Sequence, residues 1–167
     1  MPAEGENAVE HLMRKLGMSK EQIAHNQESL RERGAQLGFI FDMDKREKIY
    51  NTFNAHRLLY WANSTDKALA LKQAMFVAYF SEGKNIADHV TLKSLANEVG
   101  LDADRAQAVL ESNEFGNEVR ERENFYTSHG IHGVPAVIVN QRHLIEGAQP
   151  PEIYVQILQQ LAAAPTR

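Results

Sequence analysis

Along most of this 167-residue chain the apolar side chains recur every three or four positions, a helical period, and only near residue 137 does the spacing become that of strands. This change constrains the fold more than any other feature, because it places one short β-rich segment after a long helical stretch. Val137, Ile138 and Val139, then Leu144 and Ile145, read as two strands joined through Asn140-Gln141-Arg142. Pro150-Pro151-Glu152 opens a last helix that carries Ile153, Val155, Ile157, Leu158 and Leu161. The order is helices, hairpin, helix. A two-stranded hairpin is marginal in water, so one this apolar is expected to have further strands beside it, and the sequence offers no convincing candidate for them.

Caps and glycines divide the helical stretch. Val9, Leu12, Met13 and Leu16 mark a short amphipathic helix that Gly17 stops. Ser19 with Gln22 has the form of a capping box, and predicts a second helix through Ile23 and Leu30 to Gly34 or Gly38. Phe39-Ile40-Phe41-Asp42-Met43-Asp44 breaks the period and fits an extended loop held to the core by its aromatics. Residues 51–62 open with the cap-forming Asn51-Thr52 and are apolar nearly all round, as expected of a central helix. Asp66 reads as the cap of a helix over 67–81 with Gly83 as its stop, and three more helices are predicted over 91–99, 102–112 and 114–129, the first stopped by Gly100 and the last by Gly130. No repeat period emerges, and no linker-like stretch separates two halves.

Composition excludes several functions. With 43% hydrophobic and 24% charged residues, the chain suits one globular domain with a real core. Its 18 basic and 22 acidic residues leave a net charge of -4, without the electropositive surface that nucleic acid requires. Residues 1–20 hold Glu4, Glu6, Glu10, Arg14 and Lys15 and no apolar run, so neither a signal peptide nor a membrane span is expected, and the expected location is cytoplasmic. There is no cysteine, which rules out a disulfide framework, a thiolate metal site and a thiolate nucleophile within these residues.

Three stretches together point to a family: Asn51-Thr52 with Ala55-His56-Arg57-Leu58, the loop Gly133-Val134-Pro135 before the first strand, and Gly147-Ala148-Gln149-Pro150-Pro151-Glu152 after the second. A helical block followed by such a loop, a hairpin and a helix resembles the DsbA-like branch of the thioredoxin superfamily, and within it the FrnE-like oxidoreductases. The resemblance extends over essentially the whole chain. It implies an α/β, thioredoxin-like fold that is mostly helical, with an all-helical insertion over 1–130 and the C-terminal part of the thioredoxin fold over 131–167. Met1-Pro2-Ala3-Glu4-Gly5 looks like a segment that lies well inside such proteins, just after their second strand. The expectation is therefore a truncated form, lacking the N-terminal β-α-β part that carries the Cys-x-x-Cys turn and would supply the hairpin's missing neighbours.

The candidate substrate-binding residues are Gly133, Val134, Pro135 and His56. A cis bond before Pro135 would turn the chain sharply and leave the Val134 N–H and C=O free to pair with an extended peptide; an ordinary trans proline opening a strand is the plainer alternative. A histidine beside a reactive thiol can hold it as thiolate, which is the functional case for His56, against that of a hydrogen-bonded histidine within a helical core. Asn51 reads as a helix cap. His129, His132 and His143 do not make a convincing metal site, since glycines flank Ile131-His132 and no carboxylate lies at helical ligand spacing. The run Glu118-Val119-Arg120-Glu121-Arg122-Glu123 reads as a solvated helix face.

By this resemblance the chain is a protein thiol–disulfide oxidoreductase family member that cannot itself perform the exchange. No catalytic residue, metal or cofactor is assigned to it. The resemblance implies as partner a peptide or protein that bears a thiol or disulfide, with glutathione as a further candidate, and uncovered apolar surface is expected to lead either to self-association into a homo-oligomer or to a loose C-terminal third. Two other outcomes differ in kind: a cysteine-free peptide-binding module, or a glutathione-dependent relative of the kappa-class transferases and hydroxychromene-carboxylate isomerases. The last fits least well, because Glu146-Gly147-Ala148-Gln149-Pro150-Pro151 stands where those relatives tend to show Gly-x-Asp-Arg.

Overall fold

In the computed structural model, which describes residues 4–163, the first two helices begin at side-chain caps, the second of them the expected one. The Asn7 side chain accepts a hydrogen bond from the Glu10 N–H at 3.0 Å and opens α1 (Ala8–Leu16), which Gly17 closes in the left-handed conformation. Ser19 and Gln22 form a reciprocal capping box at the start of α2 (Lys20–Gln36). Gly34 lies inside this helix: a Cβ there would collide with the Phe41 ring and the Phe39 carbonyl, so glycine lets the following loop fold back onto the helix. That loop is pinned by aromatics as expected, with Phe39 on Phe41 at 4.8 Å between centroids and Phe41 edge-on to Phe80 at 5.3 Å.

Before α1, Glu6–Asn7 (β1) pairs antiparallel with Lys48–Ile49 (β2), a small ladder that the sequence did not announce. Glu6 also accepts hydrogen bonds from Arg14 and from His11 Nδ1, the latter at 2.9 Å, tying β1 to the outer turns of α1. The Arg14 guanidinium, and after it His11, hold the Glu6 carboxyl at about 2, well below its ordinary 4.5. Because the folded value is depressed, the stabilisation is complete above the ordinary carboxylate range and is lost as pH falls toward 2. An NMR titration of the Glu6 side-chain carbonyl is expected to show a midpoint near 2; one near 4.5 would remove the clamp.

Four helices make the core. α3 (Phe53–Ala62) packs against α4 (Ala68–Phe76) and α6 (Ala103–Glu111), and α5 (His89–Glu98) against α4 and α6. Leu58, Leu71, Leu92 and Val109 are fully buried where they meet, and Ala62, Ala96 and Ala106 let the backbones approach closely. The sequence-based expectation of a central helix over 51–62 is met by α3, whose first N–H, that of Phe53, donates to Asn51 Oδ1 at 3.0 Å. Asp88 and Asp102 cap α5 and α6 through their carboxylates.

Two local expectations need correction. Asp66 does not cap α4: it is exposed beside the Lys67 ammonium, and the Lys67 N–H donates instead to Thr65 Oγ1 at 3.1 Å. The helix read over 67–81 is also not uniform, since Val77–Ser81 is a widened π-helical turn, marked by the Glu82 N–H reaching the Val77 carbonyl. The wider turn serves tertiary contacts. The Phe80 carbonyl accepts from the Asp42 N–H, and the Tyr79 hydroxyl donates to the Lys48 carbonyl while accepting from Arg46 Nε. Burial pushes the Tyr79 hydroxyl above its ordinary range, and the Arg46 guanidinium lies 5.1 Å from the Tyr79 ring centroid.

After α6 comes α7 (Gly116–Ser128), then β3 (Ala136–Val139) and β4 (His143–Glu146), then α8 (Pro151–Ala163). The chain resolves into two compact units, one through Val119 and the other from Arg120. In the second unit β3 and β4 pair antiparallel from Ala136 opposite Glu146 to Val139 opposite His143. Asn140 and Gln141 both take positive φ, and the Arg142 N–H returns to the Val139 carbonyl, a primed turn whose twist suits a hairpin. Among the described residues no further strand joins this pair. The segment Met1-Pro2-Ala3 of the sequence reading lies outside the described residues.

Candidate functional site

The end of α7 sets up the loop that the sequence singles out. Gly130 takes φ +82 and stops the helix, and the Ile131 N–H donates back to the Tyr126 carbonyl at 3.1 Å. From this anchor the chain runs through His132 and Gly133 to Val134, then enters β3 after Pro135. The far end is anchored as well, because the Pro135 carbonyl accepts from the Gly147 N–H at 2.9 Å, just beyond β4. The Val134–Pro135 peptide bond is cis.

Between the two anchors the loop is open. Val134 is 90% exposed, an unusual setting for a β-branched apolar residue, and a Cβ built on Gly133 would meet nothing. Among the described residues neither the N–H nor the carbonyl of Val134 has a hydrogen-bond partner. A main-chain donor and acceptor, free and held at the entrance of a strand, can accept one more extended chain. The arrangement has no nucleophile of its own.

The structure thus brings Gly133, Val134 and Pro135 together in one loop of the second unit, whereas His56 belongs to α3 in the first. His56 is solvent-exposed, and among the described residues its ring makes no hydrogen bond; the reading of a hydrogen-bonded core histidine is therefore overturned. The buried residue is its neighbour Arg57, which the sequence reading passed over. One signal could have found it: an arginine set among Ala55, Leu58 and Ala62 on a helix otherwise turned to the core must have its donors satisfied there. His129 is held locally, its Nδ1 donating to the Phe125 carbonyl at 2.6 Å and its ring against that of Phe125. Phe125 and Tyr126 leave aromatic surface exposed on the same turn of α7. Among the described residues no cluster of three metal-ligating side chains occurs, and no helix is long and apolar enough to cross a membrane.

These features define a thioredoxin-superfamily protein of the DsbA type. The chain belongs to the DSBA-like thioredoxin domain family, whose model matches residues 3–159. Its fold is similar to that of a probable DsbA oxidoreductase from Streptomyces coelicolor, with TM-score 0.85 and 30% identity, over 97% of this chain and 70% of that one. It is also similar in fold to a candidate protein disulfide isomerase from Nitrosomonas europaea, with TM-score 0.68 and 22% identity, over 87% of this chain and 76% of that one. Comparison with functionally curated proteins gave no significant match.

Proposed function

We propose that this chain is the substrate-docking part of a protein thiol–disulfide oxidoreductase of the FrnE-like branch, and that it captures extended polypeptides bearing a thiol or a disulfide. The observation that carries the reading is the exposed Val134, whose backbone N–H and carbonyl are both unpartnered among the described residues. Such a pair recognises main chain rather than side chain, which suits an enzyme class that acts on many unfolded substrates. Family membership supports the thiol or disulfide as the reacting group, and the match of Asn51-Thr52, Ala55-His56-Arg57-Leu58 and Gly147-Ala148-Gln149-Pro150-Pro151-Glu152 to the FrnE-like pattern supports the branch.

Docking and chemistry separate here. Thiol–disulfide exchange needs a thiolate to attack a sulfur, and none of the 167 residues is a cysteine. The polypeptide alone is expected neither to reduce insulin in the presence of a dithiol nor to oxidise a reduced peptide above background. Turnover well above background in a homogeneous preparation would overturn this.

Docking is tested by the affinity of a labelled, unfolded peptide with a single cysteine, measured by fluorescence anisotropy. Val134→Pro removes the N–H donor and is expected to weaken binding about tenfold, the equivalent of one well-made hydrogen bond. Val134→Ala keeps the donor and should bind within about threefold of the parent, because main-chain pairing survives it. Equal affinity of the proline variant and the parent, or no binding by the parent, would overturn the docking assignment.

A further inference from the structure

We draw no further inference here: the strongest candidate, the exposed apolar cross-strand pair Ile138 and Leu144 of the β3–β4 hairpin, is an unpartnered face, and nothing in the structure shows what covers it.

Discussion

Arg57→Ala is expected to destabilise the helical block by ~2–4 kcal/mol, the cost of losing a buried cation's hydrogen bonds to neutral acceptors and leaving those acceptors short of donors. The side chain is 3% exposed and every nitrogen of its fork is used. Nε donates to the Glu114 carbonyl at 2.8 Å and Nη1 to Asn54 Oδ1 at 3.0 Å. Nη2 donates to the carbonyls of Val109 and Ser112, at 2.5 and 2.6 Å. The last two acceptors lie at the C-terminal end of α6, where unpaired carbonyls carry the negative end of the helix dipole. Burial pushes the guanidinium below its ordinary range and the nearby Glu114 charge works against that shift, so the cation is held by carbonyls with a carboxylate in support. Alanine would take the guanidinium donor from all three carbonyls, and at Val109 the lost bond lies in a buried place. Arg57→Lys is expected to recover only part of the loss, because an ammonium cannot span acceptors that a planar fork reaches in several directions. Denaturant midpoints of the three proteins check this, and an alanine variant within ~1 kcal/mol of the parent would show that the network contributes little.

The second large effect is a contrast between the two units in hydrogen exchange. Leu58, Leu71, Leu92 and Val109 are fully buried in the helical block, whereas α8 has no fully buried residue. In the hairpin Ile145 is buried, while the cross-strand pair Ile138 and Leu144 remains 48% and 41% exposed. At ~25 cal/mol per Å² of apolar surface left in water, a few hundred Å² amounts to several kcal/mol, comparable with the net stability of a whole domain. Local opening should follow that difference. Amides of β3, β4 and α8 are expected to exchange about a thousandfold faster than those of α3 to α6, which corresponds to ~4 kcal/mol of opening free energy. The measurement belongs at a concentration where sedimentation shows a monomer, since association would itself cover the apolar face. Uniformly slow exchange in that monomer would overturn the expectation.

How much of this could be read from the residues depended on the range of the interaction. The capping box at Ser19 and Gln22, the glycine stops at Gly17 and Gly130 and the hairpin with its terminal helix were legible, because each is decided within a few residues by backbone donors, acceptors and allowed φ. The Asp66 cap failed because α4 begins one residue later than the pattern suggested, with Lys67 at its cap position and Thr65 Oγ1 holding the Lys67 N–H. The π-helical turn at Val77–Ser81 was out of reach for another reason: the contacts that stabilise it come from Ile40, Asp42, Arg46 and Lys48, far away in sequence. The β1–β2 ladder, two residues on each side, is likewise too short to leave a period.

The site divides in the same way. Gly133-Val134-Pro135 stood out by residue type alone, because glycine widens and proline narrows the backbone geometry wherever they occur. That the Val134 N–H and carbonyl are without partners among the described residues is a tertiary fact, set by the anchors from Ile131 to Tyr126 and from Gly147 to Pro135 on either side. Adjacent residues on α3 show the contrast most directly. His56 and Arg57 are both polar residues in an apolar helix, and sequence pattern assigned chemistry to the first and nothing to the second. Only the packing of α3 against α6 decided that His56 faces solvent while Arg57 faces the carbonyls of Val109, Ser112 and Glu114. The sequence by itself determined where helices start and stop, where the period changes and that no thiol is available, since those follow from local backbone chemistry and composition. Which polar groups are buried and which stay free to meet a substrate was decided by the tertiary structure, because burial depends on what a distant segment places opposite them.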